Sequence, residues 1–165
     1  MVAVVHALLG AVIGIIITSG PAVVIVAFFS HYLLDRLPHI DPATFSSKRV
    51  HYSWTEFISI ISDAVLTVII GIIFFDSHER WATILLGTIF SMLPDLLIPF
   101  EKYSLLTPLR RFHNLSHWNA QQAQHWSWYI AGLTMPLMIG AVSTYLLWQS
   151  FFYLYRNRFW LALIR

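Results

Sequence analysis

Apolar residues along this chain come in long runs separated by short polar breaks. The runs cover about 2–18, 21–36, 54–75, 81–98 and 127–148. Each is close to the ~17–25 residues that cross a bilayer as a helix. Ser19-Gly20-Pro21 separates the first two, with Pro21 suited to the first turn of a helix. Leu37-Pro38 ends the second, because proline has no N–H to donate and restricts its predecessor. Residues 38–53 are polar, residues 76–80 (DSHER) form a turn, and the fourth run stops at Pro99. A polar segment follows to about residue 126. The tail, 149–165, mixes aromatics with Arg156, Arg158 and Arg165, as an interfacial anchor or a continuing helix would. The pattern predicts an all-α protein, a single integral membrane helical bundle over 1–165 with about five transmembrane helices.

Composition sharpens this reading. The chain is 58% hydrophobic and 11% charged, against about a quarter charged in soluble domains. It has no cysteine, so disulfides and thiolate sites are excluded and His, Asp and Glu remain as ligands. A net charge of +2 with no basic run argues against nucleic acid. The first run has no Lys or Arg before it and no clear A-x-A site, so it reads as a retained helix. Gly10 and Gly14 form a small-xxx-small pattern that would let this helix pack closely.

Five alternating spans put the segments 37–53 and 99–126 on the side of the N-terminus, side A. Six basic residues fall there (Arg36, Lys48, Arg49, Lys102, Arg110, Arg111) and four on side B, which favours A as cytoplasmic. The polar residues of the spans sort the same way. His6 is about four residues from the A end of the first span, and His31 and Asp35 occupy the end of the second. Asp63 is about nine residues into the third, roughly 13 Å deep. Asp95 is in the last turn of the fourth, and His113 and His117 follow in the A-side segment. Ionisable residues in lipid cost roughly 2.5–3.5 kcal/mol each on insertion scales and mark function by default.

Spacing adds chemistry. His31 and Asp35 are i,i+4 and share a helix face, as do His113 and His117 if that segment is helical. Imidazoles and carboxylates suit zinc first and manganese second. The candidate metal ligands are His6, His31, Asp35, Asp95, His113 and His117. Six exceed the four of a structural zinc, so either two ions bind or some residues orient the others. Asp63 is a further ligand or the general base toward an activated water, with His117 also placed in the catalytic set. Arg110, Arg111, Lys48 and Arg49 would hold an anionic head group. Trp54, Trp81, Trp118, Trp126 and Trp128 read as boundary anchors, and His39 and His51 as ordinary loop residues.

At His6 in HALLGA, Ser30-His31 with Asp35 in SHYLLD, Pro94-Asp95 in LPDLL, and Arg111 with His113 and His117 in RFHNLSH, the sequence resembles predicted membrane-bound metal-dependent hydrolases, including the LexA-regulated inner-membrane proteins. The order of the elements differs: Ser-His-x-x-x-Asp comes before the others here. Leu97 also stands where a second Asp often follows Pro-Asp. A more distant similarity to zinc-dependent phospholipase C proteins implies phosphoester chemistry. The resemblance implies a prokaryotic inner-membrane enzyme with one or two divalent ions, acting at the membrane face on a lipid or lipid-linked phosphoester. The competing expectation is a non-enzymatic proton- or ion-conducting or structural subunit, using the same His/Asp cluster as a relay.

Overall fold

The structure is a computed structural model that describes residues 3–39, 65, 69, 79–97, 107, 108, 111 and 126–163. Among these the chain is all-helical, with four helices: α1 (Ala3–Ile16), α2 (Gly20–Asp35), α3 (Trp81–Leu97) and α4 (Trp126–Leu163). The apolar runs 2–18, 21–36 and 81–98 are helical and match α1, α2 and α3 within two residues at each end, but at 14, 16 and 17 residues these helices are shorter than the spans expected. The last span and the tail form one helix, α4, carried through Pro136. The expected third span, 54–75, lies outside the described residues except for positions 65 and 69, which are helical.

The glycines of α1 set the packing. A Cβ at Gly10 would collide with the Gly87 carbonyl and the Ser91 hydroxyl, and one at Gly14 with the backbone of Thr83 and Ile84. A Cβ at Gly87 would in turn strike the Gly10 carbonyl. The two backbones therefore touch, as small residues permit between membrane helices. The pairs His6–Ser91, Gly10–Gly87 and Gly14–Thr83 step by four in opposite directions, so α1 and α3 are antiparallel. Hydroxyls lock the register: Ser91 Oγ donates to the His6 carbonyl at 2.7 Å and Thr83 Oγ1 to the Gly14 carbonyl at 2.7 Å. The guanidinium of Arg80 donates to the Ile15 carbonyl. Thr83 and Arg80 thus satisfy the carbonyls that a helix C-terminus leaves open.

α2 folds back along α1 after the turn at 17–19, with Pro21 in its first turn as expected. Gly20 lies beside Leu86 and Asp35 lies beside His6, so α2 runs parallel to α3. α4 packs on α1, with Gly140 next to Val5 and Leu147 in a cluster with Leu8, Ala11, Val12 and Ile84. It runs parallel to α1 and extends about 12 residues beyond it at the A end, roughly 18 Å at 1.5 Å per residue.

Within α4, Ile130–Tyr153 is the one described helix long and apolar enough to cross a membrane. Only 17% of it is buried, unlike the core helix of a soluble protein. Its buried positions, Gly132, Pro136, Ser143 and Leu147, make one stripe, and the rest presents Leu133, Leu137, Met138, Val142, Leu146 and Trp148 outward. The outer faces of α2 and α3 are also apolar, with Ile25, Phe29, Leu33, Leu85, Ile89 and Leu96 exposed.

Gly10→Leu is expected to destabilise the protein by more than the ~1–3 kcal/mol of ordinary overpacking, because backbone rather than side chain must move. Gly140→Ala, whose nearest neighbour is a Val5 methyl at 4.0 Å, should be tolerated. Thermal unfolding in detergent measures both.

Candidate metal centre

Three helices deliver their polar residues to one point. The face of α1 that carries Gly10 and Gly14 begins, four residues earlier, with His6. The i,i+4 face of α2 presents His31 and Asp35, and the last turn of α3 presents Asp95. His6, His31 and Asp35 are among the most buried side chains described, each at 0% exposure. Asp95 is the open member, with its side chain 26% exposed.

His31 fixes the chemistry. Its Nδ1 lies 2.9 Å from the Ser91 carbonyl oxygen. A carbonyl only accepts, so Nδ1 carries a proton and donates it. The other nitrogen, Nε2, faces Asp35 Oδ2 at 3.0 Å and Asp95 Oδ1 at 3.5 Å. A bare lone pair against two carboxylates would be repulsive. That position therefore calls for positive charge, either a second proton on His31 or a metal cation. Metal-bound histidines typically donate their other N–H to a carbonyl or carboxylate, and the Ser91 carbonyl occupies that outer place.

His6 adds a second imidazole. Its Nε2 lies 3.2 Å from Asp35 Oδ1, and its ring stacks on His31 with centroids 4.2 Å apart. Neither of its ring nitrogens meets hydrogen-bond geometry among the described residues, although the ring is fully buried. His6, His31 and Asp95 each offer a ligand atom, and these atoms all lie within 4.8 Å of one another, within reach of a metal ion. Asp35 stands on the same, ligand-facing side of both imidazoles. The nitrogen–oxygen separations resemble the edge of about 3.3 Å expected between donors ~2.0–2.1 Å from a tetrahedral zinc.

Four of the six expected ligands, His6, His31, Asp35 and Asp95, are thus together. His113 and His117 lie outside the described residues, as do Asp63, Lys48, Arg49 and Arg110. Arg111 is described and is exposed. Ser30, part of the SHYLLD element, donates back to the Ala27 carbonyl at 2.8 Å and takes no part in the cluster. His39, read as an ordinary loop residue, is instead 3% exposed, with Nδ1 2.8 Å from the Leu37 carbonyl.

Ser91 is the residue that sequence reasoning passed over. Its hydroxyl holds α1 and its carbonyl holds His31. Pro94 lies three residues on, and its missing N–H leaves the Phe90 carbonyl unbonded within the helix. The ladder is therefore interrupted next to the carbonyl that His31 uses. A serine one turn before a Pro-Asp pair was the available signal.

The cluster sits at the ends of α1, α2 and α3 that the sequence reading assigns to side A, where a membrane-rim position was expected. Against α4 it is level with Gly140, close to the middle of Ile130–Tyr153. The three shorter helices end where the long one is half-way along. No protein-family model, curated protein or solved structure matches this chain.

Ser91→Ala removes the bond to His6 but keeps the backbone carbonyl that holds His31. It is expected to cost about 0.6 kcal/mol, the average for interhelical hydrogen bonds in a membrane, and to leave metal content unchanged. Unfolding in detergent and elemental analysis of the same sample check the two parts separately.

Proposed function

We propose that the chain is a membrane-embedded metal-dependent hydrolase acting on a lipid or lipid-linked phosphoester. The observation that carries the metal reading is the orientation of His31. Its Nδ1–H is committed to the Ser91 carbonyl, and its Nε2 is turned toward Asp35 and Asp95. His6, His31, Asp35 and Asp95 would hold the metal, one or two ions, zinc first and manganese second. A divalent ion there supplies Lewis-acid polarisation of a phosphoester and activation of water at neutral pH. The protein's own part is to keep the His31 imidazole in one tautomer and to exclude water from all but the Asp95 side.

The membrane setting is supported by the long exposed apolar helix and by the apolar outer faces of α2 and α3. A five-span bundle is supported by connectivity. α2 ends and α3 begins at opposite ends of the bundle, about 24 Å apart for a helix of this length. The apolar run 54–75 is suited to make that return. The level of the cluster along α4 favours a substrate that arrives within the bilayer, so a lipid or lipid-linked substrate fits better than a soluble one. The resemblance to membrane-bound hydrolases supports the phosphoester class, with Asp63, His113 and His117 completing the catalytic and ligand set and Arg110, Arg111, Lys48 and Arg49 receiving the anionic group. It also supports a prokaryotic inner-membrane location.

A second reading, a proton relay, is favoured by one contact. Asp35 reaches both His6 and His31 at 3.2 and 3.0 Å, so a proton could pass between the imidazoles through one carboxylate. The two readings separate on metal. Protein purified in detergent without chelator should carry zinc or manganese, and His31→Ala should lose at least nine-tenths of it. Release of phosphate or phosphorylated head group from solubilised phospholipid should stop on chelation and return with added zinc. Unchanged turnover after chelation and in His31→Ala would contradict the hydrolase reading.

A further inference from the structure

A metal ion binds an imidazole nitrogen along its lone pair, which lies in the plane of the ring. The planes of His6 and His31 are inclined by only 26° with centroids 4.2 Å apart. Planes so nearly parallel and so far apart meet several ångströms beyond the rings, well past the ~2.0–2.1 Å of a zinc–nitrogen bond. One ion cannot lie in both planes at bonding distance while the rings remain stacked.

Asp35 divides in the same way. Its Oδ1 faces His6 Nε2 at 3.2 Å and its Oδ2 faces His31 Nε2 at 3.0 Å. Each carboxylate oxygen is therefore assigned to a different imidazole. Asp95 is in ion-pair range of His31, with Oδ1 3.5 Å from His31 Nε2, and its ligand atom lies within 4.8 Å of that of His6. The spacing of the rings is close to the ~3.5–4 Å that separates the ions of two-metal hydrolytic sites.

We infer that the centre holds two divalent ions bridged by the carboxylate of Asp35. His6 and Asp35 Oδ1 hold one ion, and His31, Asp35 Oδ2 and Asp95 hold the other. This rests on the metal reading above and deepens it. Among the described residues the second ion has three protein ligands and is backed by the Ser91 carbonyl behind His31, and the first has two. Asp35 is buried at 0% exposure because a bridging carboxylate needs both oxygens turned inward.

The test uses the full chain in detergent, dialysed against zinc and then freed of excess. Elemental analysis should give two zinc ions per chain in the wild type, one in His6→Ala and two in Asp35→Glu. Manganese-loaded wild type should give the electron paramagnetic resonance spectrum of an exchange-coupled pair, and Asp35→Asn that of isolated ions. The wild-type spectrum stands even if a variant fails to fold. One ion per chain with an isolated-ion spectrum overturns the bridged pair and leaves the metal reading intact. No bound metal in the wild type overturns both.

Discussion

Gly10 and Gly87 let two helix backbones touch, and the placement of the buried polar groups on α1, α2 and α3 follows from that contact. With the backbones this close, the His6 carbonyl comes within reach of the Ser91 hydroxyl, at 2.7 Å. The same serine then offers its own carbonyl to His31 on α2. Close approach, register and imidazole orientation are thus one chain of consequences along α1 and α3. At the far end of α1, Thr83 and Arg80 close the helix carbonyls and keep the register from slipping.

The arrangement carries a cost in burial. Apolar membrane helices can pack through small residues alone, and lipid offers no compensation for a buried carboxylate. Yet the most buried positions of the bundle include His6, His31 and Asp35. Their mutual geometry is not that of scattered polar contacts each satisfied by nearby backbone. Two imidazole nitrogens and carboxylate oxygens from three helices face one another across 3.0–3.5 Å. Such a set calls for positive charge between its members, as a proton or a metal ion. The partly exposed Asp95 gives that centre an outlet toward the surroundings.

Much of this was legible in the sequence. The apolar runs marked α1, α2 and α3 closely, because turn residues and proline bound each run and end a helix. The i,i+4 spacing of His31 and Asp35 and the position of Pro94-Asp95 located two walls of the centre. His6 was found by counting depth from the A end. The role of Ser91 was not legible, because it acts through a backbone carbonyl that has no residue signature. Nor was the weight of Gly10 and Gly14, since such pairs arise often by chance in apolar helices and only the partner glycine on α3 gives them meaning. The level of the centre along α4 depends on how four helices of unequal length align, which no single segment encodes.

The central claim is that cations occupy the space between these imidazoles and carboxylates. X-ray absorption at the zinc edge of the detergent-purified, zinc-loaded chain addresses it most directly. The account predicts a first shell of nitrogen and oxygen at ~2.0–2.1 Å, with the multiple scattering of coordinated imidazole, lost together in His31→Ala. A spectrum of hydrated zinc without imidazole scattering, or one unchanged in His31→Ala, would contradict it.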